Sequence, residues 1–148
     1  MAADDGGALV EFLGVAVVIL VPLVYLIVTL AQVQSATFGV EAAARSAARA
    51  AAVAGMEAVA AGQDSSAAMA AASARAEATL AVTAEDFGLE APALALDCDG
   101  ECFAPGSDVV AEVAATVSLP GIPSLIAEVA PLAIDVHARG ASPVDGHR

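Results

Sequence analysis

The sequence contains no tryptophan and no lysine, and aromatic residues make up only 3% of its 148 residues. Hydrophobic residues reach 59%, but a great excess of these are alanines, so any core must be thin. Eighteen acidic residues stand against five arginines, which gives a formal net charge of -13. A chain this acidic is disfavoured as a nucleic-acid-binding protein. Its length allows one small soluble domain and no second one.

Only two cysteines are present, Cys98 and Cys102, on either side of Gly100. Two thiolates are too few for a structural zinc site, which needs four ligands, and neither histidine has the spacing to complete one. We prefer a disulfide that closes a tight turn, which implies an oxidising, extracytoplasmic compartment. A pair of reduced thiols is the alternative.

The same turn carries three carboxylates, Asp97, Asp99 and Glu101. They raise the hypothesis of a calcium site, but their spacing differs from that of an EF-hand loop. A solvated acidic turn is the favoured interpretation, and we expect neither a metal nor a cofactor.

A membrane-length apolar run occupies residues 12–31, and no charged residue follows it until Glu41. Twenty residues of helix are long enough to cross a hydrocarbon core of roughly 30 Å. Glu11 stands at the edge of this run. Because a carboxylate costs on the order of 2.5 to 3.5 kcal/mol at the centre of a bilayer, Glu11 should have a partner or a purpose.

Two glycines, Gly6 and Gly7, precede Glu11-Phe12 and the apolar run. Paired glycines lack helix propensity and suit a backbone that a protease draws into an extended conformation. A glycine, four residues, Glu-Phe and a long apolar helix resemble the class III signal of prepilins, and most closely that of TadE-like pseudopilins. The alanine- and arginine-rich residues 40–50 resemble the stretch that follows the spanning helix in that family.

The resemblance, which covers about the first third of the chain, implies a processing site and an assembly residue. A prepilin peptidase would cut after Gly6 on the cytoplasmic side, so that Gly7 becomes the N-terminus and Glu11 the fifth residue. Glu11 and Phe12 would act in assembly with other pilin or pseudopilin subunits through the N-terminal helix.

Two other interpretations of the N-terminal residues remain. Asp4 and Asp5 could cap a helix and, with Glu11, complement its dipole, but this leaves the glycine pair unexplained. A secretory signal peptide fits poorly, because there is no basic n-region and the apolar run exceeds the usual length of an h-region.

The chain divides into a leader (1–6), a long helix (7–61) with its spanning part at 12–31, and an extracytoplasmic domain (62–148). Pro22 should kink the long helix. After a break at Gly62–Ser66, a second helix is predicted from about Ser66 to Thr83, with a shallow packing face that is mostly alanine. Phe87, which follows it, is expected to anchor in the core.

From Ala91 the hydrophobic period changes to two, which predicts strands. The first has Leu94, Leu96 and Cys98 on one face, the clearest runs over 109–119, and a third covers 132–139. A small antiparallel sheet follows, giving an α+β fold. Residues 120–126 form an apolar loop between strands, and residues 141–148 are predicted to be a frayed tail.

Two arguments about orientation disagree. Arg45 and Arg49 follow the apolar run and no basic residue precedes it, so a literal positive-inside count places the domain in the cytoplasm. These arginines lie at the far margin of the counted window, and Arg45 is one turn from Glu41. The disulfide interpretation and the resemblance both place the domain outside, and a misplaced start codon would hide upstream basic residues.

The sequence therefore predicts a TadE-like minor pilin or pseudopilin in the cytoplasmic membrane, with its N-terminus cytoplasmic and its domain outside or in a cell-surface pilus. The expected partners are a prepilin peptidase, sister subunits and the lipid bilayer. No combination of nucleophile, base and phosphate loop indicates an enzyme. The alternative is an unprocessed, single-pass anchored binding module or membrane-complex subunit.

Overall fold

The described residues of the chain form two α-helices followed by a three-stranded antiparallel sheet. A computed structural model describes residues 5–118 and 133–145, with side chains from residue 7. The elements in chain order are α1 (Asp5–Ala60), α2 (Ser65–Phe87), β1 (Glu90–Asp99), β2 (Asp108–Ser118) and β3 (Ala133–Pro143). The predicted α+β class is confirmed. The predicted loop at 120–126 and the first four residues of the predicted leader lie outside the described residues.

Helix α1 is a single helix of 56 residues, which at 1.5 Å per residue is about 84 Å long. It continues through Pro22, which has no N–H to donate to the carbonyl of Val18. Its bounds agree within two residues with the predicted helix 7–61. All described residues up to Val28 are exposed, whereas from Ala36 onward one face of α1 is buried. We call residues 7–28 of α1, which are all exposed, the bare half of the helix. The part from Ala36 onward belongs to the folded domain.

Helix α2 has a capping residue at each end. The Asp64 carboxylate accepts hydrogen bonds from the Ser66 hydroxyl and from the Ala67 amide, and these bonds hold the pKa of Asp64 below its usual value. Gly88 ends the helix in the left-handed conformation, with φ of 61°. The helix runs four residues beyond its predicted end at Thr83, because the chain stays helical until this glycine.

The sheet has the order β1-β2-β3, and both pairings are antiparallel. The central strand β2 alternates as predicted: one face is buried, formed by Val109, Ala111, Val113, Ala115 and Val117. In β1 the predicted face of Leu94, Leu96 and Cys98 is half-buried. The inner face of the sheet lies against α1 and, along β1, against α2.

The core is built mainly from alanine. Eight alanines of α1 are at most 6% exposed, and on α2 the buried residues are Ala68, Ala72, Ala76, Leu80 and Ala84. Side chains this small contribute little apolar area each, so the free energy of packing depends on how closely the backbones approach. Val82, one of the few large apolar residues of α2, is instead 63% exposed.

Strand β3 lies close to the backbone of α1 at Gly140. A Cβ atom built on Gly140 would lie 2.5 Å from the carbonyl carbon of Ala44 and 2.6 Å from the amide nitrogen of Arg45. Both atoms belong to the helix backbone, so no side chain can turn away to make room. Glycine at this position allows the strand to lie directly on the helix.

The prediction of a frayed tail is wrong for residues 141–145. Strand β3 continues to Pro143, and the next residue, Val144, is 3% exposed. The amide of Val144 donates to the carbonyl of Ser107 at 2.9 Å, and its carbonyl accepts from the amide of Gly106 at 3.0 Å. The position at the end of the chain suggested a tail, but backbone pairing and burial of Val144 keep this segment in the fold.

Candidate functional site

The bare half of α1 is the largest exposed apolar surface that the structure describes. Side chains there are exposed on every side of the helix rather than along one stripe. Within residues 5–118 and 133–145, α1 is the one helix long and apolar enough to cross a membrane. A helix that is apolar all round and packs against none of the described residues of its chain is suited to lipid or other helices as its surroundings.

The predicted processing residues lie at the start of this helix. Gly6 and Gly7 are in its first turn, and a Cβ built on Gly7 would meet nothing within 4 Å. Phe12 is 72% exposed, and Glu11 beside it is exposed as well. The structure thus presents the glycine pair and the Glu-Phe pair together on a short, uncovered end of α1.

Glu11 has no cation within reach in the described part of its own chain. The single ion pair found there joins Glu41 to Arg45, at 3.5 Å, and both side chains are substantially exposed. Arg45 is 34 residues further along α1 than Glu11, or about 50 Å. Any cation that pairs with the Glu11 carboxylate therefore lies outside the described residues of this chain.

At the junction between the bare half of α1 and the domain, a close contact at one glycine and a cleft are found. A Cβ on Gly39 would lie 2.8 Å from the Cβ of Phe87, so the Phe87 side chain packs directly against the backbone of α1. Phe87 nevertheless remains 39% exposed, so it covers the core edge rather than filling the core as predicted. Phe38, one residue earlier on α1, is 65% exposed.

The cleft beside this junction has a volume of about 210 Å³. Its lining comes from α1, the end of α2 and the end of β2: Gln32, Ser35, Ala36, Phe87, Gly88, Leu89, Glu90, Thr116, Val117 and Ser118. The Ser118 hydroxyl donates to the Glu90 carboxylate. Histidine, lysine and cysteine are absent from these lining residues.

Cys98 and Cys102 form the predicted disulfide, with Cα atoms 5.4 Å apart. Phe103 follows directly, adopts a φ of 64° and is only 5% exposed. Its ring lies against Gly55 of α1, where an alanine Cβ would overlap the ring. The turn closed by the disulfide is thus followed directly by Phe103, the one deeply buried aromatic side chain among the described residues.

Sequence reasoning missed the contact between Phe103 and Gly55. A glycine within an alanine-rich helix indicates close approach of another group, and Phe103 is the large apolar residue next to the disulfide. The two residues are 48 positions apart, however, and no local pattern joins them.

Within the described ranges, no group of three or more histidine, cysteine, aspartate or glutamate side chains is placed to hold a metal ion. His137 is exposed and lies opposite Ala114 in the sheet.

Comparisons with known proteins add no family assignment. No protein-family model, curated protein or solved structure matches this chain. The functional conclusion therefore depends on the N-terminal sequence pattern and on the geometry of α1.

Proposed function

We propose that this chain is a TadE-like pseudopilin or minor pilin that a prepilin peptidase cuts after Gly6 and that assembles with sister subunits through α1. The observation that carries the proposal is Glu11. It is a single exposed carboxylate beside an uncharged, uncovered apolar helix, with no cation near it in the described chain. That helix continues without a break into the folded domain.

Cleavage would supply the missing partner. Removal of residues 1–6 creates an ammonium group at Gly7, and the Glu11 carboxylate of a neighbouring subunit pairs with it in a bundle of helices. At a separation of 4 Å and an effective dielectric constant near 20, the attraction is about 4 kcal/mol before desolvation is subtracted. Because desolvation cancels much of this gain, the pair fixes the register of the subunits more than their stability.

The rest of the molecule supports a structural role rather than an enzymatic one. The domain is small, and its core is alanine packed on backbone. The bare half of α1 is suited to two environments in turn, the bilayer before assembly and a bundle of apolar helices after it.

The proposed orientation has the N-terminus in the cytoplasm and the domain outside. A disulfide favours an oxidising compartment for the domain. The exposed ion pair between Arg45 and Glu41 reduces the weight of Arg45 in a count of positive charges.

The experiment compares Glu11→Gln with Glu41→Gln, the same change at an exposed position 30 residues further along α1. Glutamine keeps the shape of the side chain and removes its charge. Glu11→Gln should insert and be cleaved normally yet fail to co-purify with sister subunits, whereas Glu41→Gln should assemble, since an exposed ion pair contributes little.

Cleavage is checked in both variants by intact mass, so that a processing defect is not mistaken for an assembly defect. A cleaved Glu11→Gln protein that co-purifies with sister subunits at wild-type yield would show that the charge has no role in assembly. The second candidate, an unprocessed anchored module, is favoured if the N-terminus of the wild-type protein is intact and Glu11→Gln does not change co-purification.

A further inference from the structure

Two of the arginines of this acidic chain flank a groove between α1 and α2. The groove has a volume of about 410 Å³ and is lined by Ser46, Arg49, Ala50, Val53, Arg75 and Thr79. Arg49 and Arg75 are exposed, and within residues 7–118 and 133–145 neither makes an ion pair within 4 Å. We call this surface the arginine groove.

The other polar groups of the arginine groove are already bonded within the helices. The Thr79 hydroxyl donates to the carbonyl of Arg75 at 2.9 Å, and the Ser46 hydroxyl donates to the carbonyl of Ala42 at 2.8 Å. Val53, at the floor, is 45% exposed. The groove therefore offers guanidinium donors beside an apolar patch, which suits a carboxylate-bearing peptide segment.

The same chain carries a matching surface at the turn between β1 and β2. Asp97, Asp99 and Glu101 are all exposed, and in the described part of the chain none of them forms an ion pair. The disulfide closes this acidic turn, and the buried ring of Phe103 fixes it to α1. A turn held at both points loses little conformational entropy when it binds.

We propose that the arginine groove of one copy binds the acidic turn of a second copy of this chain. The two surfaces differ, so the contact is heterologous and repeats from copy to copy instead of closing into a two-fold dimer. This inference rests on the proposed function, because it deepens how subunits would associate above the membrane.

The levels of the two surfaces along α1 agree with the proposed pairing of Glu11. The acidic turn is fixed at the level of Gly55, six residues or about 9 Å beyond Arg49. To bring the Gly7 ammonium of one copy level with Glu11 of its neighbour, that copy must shift outward by four residues, or about 6 Å. The same shift raises its Arg49 by about 6 Å, toward the level of the Phe103 ring that follows the neighbour's acidic turn.

A photo-cross-linking residue placed at Val53 tests the contact in the full-length, membrane-embedded protein. Replacement of Val53 by p-benzoylphenylalanine should give a cross-link to residues 97–101 of a second copy, identified by mass spectrometry. Val59 is the matched control, because it is 46% exposed on the same helix but does not line the groove. A cross-link from Val53 only to lipid, to another protein or to a different part of the second copy would overturn the proposal.

Charge reversal tests the same contact by a second route. The pair Arg49→Glu and Arg75→Glu should lower the cross-link yield about tenfold, because it sets like charges against the acidic turn. Adding Asp99→Arg and Glu101→Arg in the same chain should restore the yield to within about twofold. Arg139→Glu, an exposed arginine of β3 outside the groove, should leave it unchanged. The contact would be refuted if the variant with only Arg49→Glu and Arg75→Glu gave the same cross-link yield as the wild type.

N-terminal sequencing of the same samples separates this inference from the proposed function. An intact Met1 terminus with a charge-dependent cross-link would refute pseudopilin processing and leave the contact standing. A Gly7 terminus with no cross-link to the acidic turn would leave the processing standing and refute the contact.

Discussion

Replacing Gly140 by alanine tests whether strand β3 lies directly on the backbone of α1. The added Cβ would lie 2.5 Å from the Ala44 carbonyl carbon, whereas ordinary van der Waals contact begins at 3.4 Å. The strand must therefore move away by about 0.9 Å, and β2 pairs with it along its whole length. Because the clashing atoms are backbone, we place the cost near the upper end of overpacking penalties, at about 3 kcal/mol.

Thermal unfolding of the full-length protein in detergent, followed by circular dichroism, measures this cost. For a domain of this size, a loss of about 3 kcal/mol lowers Tm by about 10 to 20 °C. Gly14→Ala is the matched control, since a Cβ at Gly14 meets nothing within 4 Å. It should leave Tm unchanged or slightly raised. The close approach would be refuted by a Gly140→Ala protein whose Tm lies within about 2 °C of the wild type, because the expected drop is about 10 to 20 °C.

Two further predictions concern the turn at the far end of the domain. Gly55→Ala should destabilise the protein by about 2 kcal/mol, because the new methyl overlaps the Phe103 ring. Adding Phe103→Leu should recover most of that loss, because the obstructing atoms belong to a side chain. Additive losses in the double variant, measured by the same unfolding assay, would contradict this contact. Replacing both Cys98 and Cys102 by serine should cost about 2 kcal/mol by the loop-entropy estimate for so short a loop, and proteolysis within residues 99–106 should become faster. An unchanged Tm and an unchanged cleavage rate would show that the disulfide constrains nothing.

The sequence predicts the elements that follow from short-range patterns. The capping residues Asp64 and Gly88 and the alternation of β2 are local, so α2 and the sheet are found from periodicity and turn chemistry. The disulfide follows from the spacing of two cysteines in one turn. These features need no knowledge of which surfaces meet.

The parts that sequence reasoning missed are contacts between distant segments. The contact of Gly140 with Ala44 joins residues 96 positions apart, and the contact of Phe103 with Gly55 joins residues 48 positions apart. An alanine-rich helix offers many equivalent sites for such contacts. Val144 was assigned to a tail for the same reason: its burial depends on pairing with Gly106 and Ser107 across the sheet end. In a core of small side chains, glycine positions rather than large apolar residues mark where elements meet.

The same distinction between local patterns and contacts of distant segments applies to the candidate site. The sequence predicts Gly7, Glu11 and Phe12 at the N-terminal end of a long helix, directly after a leader that ends at Gly6. In the structure these three residues are exposed, and the helix already begins at Asp5, so that it includes Gly6. The arginine groove was not predicted, because Arg49 and Arg75 come together only when α1 and α2 pack side by side.

The most direct test of the central claim is the N-terminal sequence of the protein extracted from membranes of cells with an active prepilin peptidase. Our account predicts that the mature chain begins at Gly7 and that Gly6→Ala slows or stops this cut. An intact mass that includes Met1 or Ala2 in wild-type protein from those cells would contradict it.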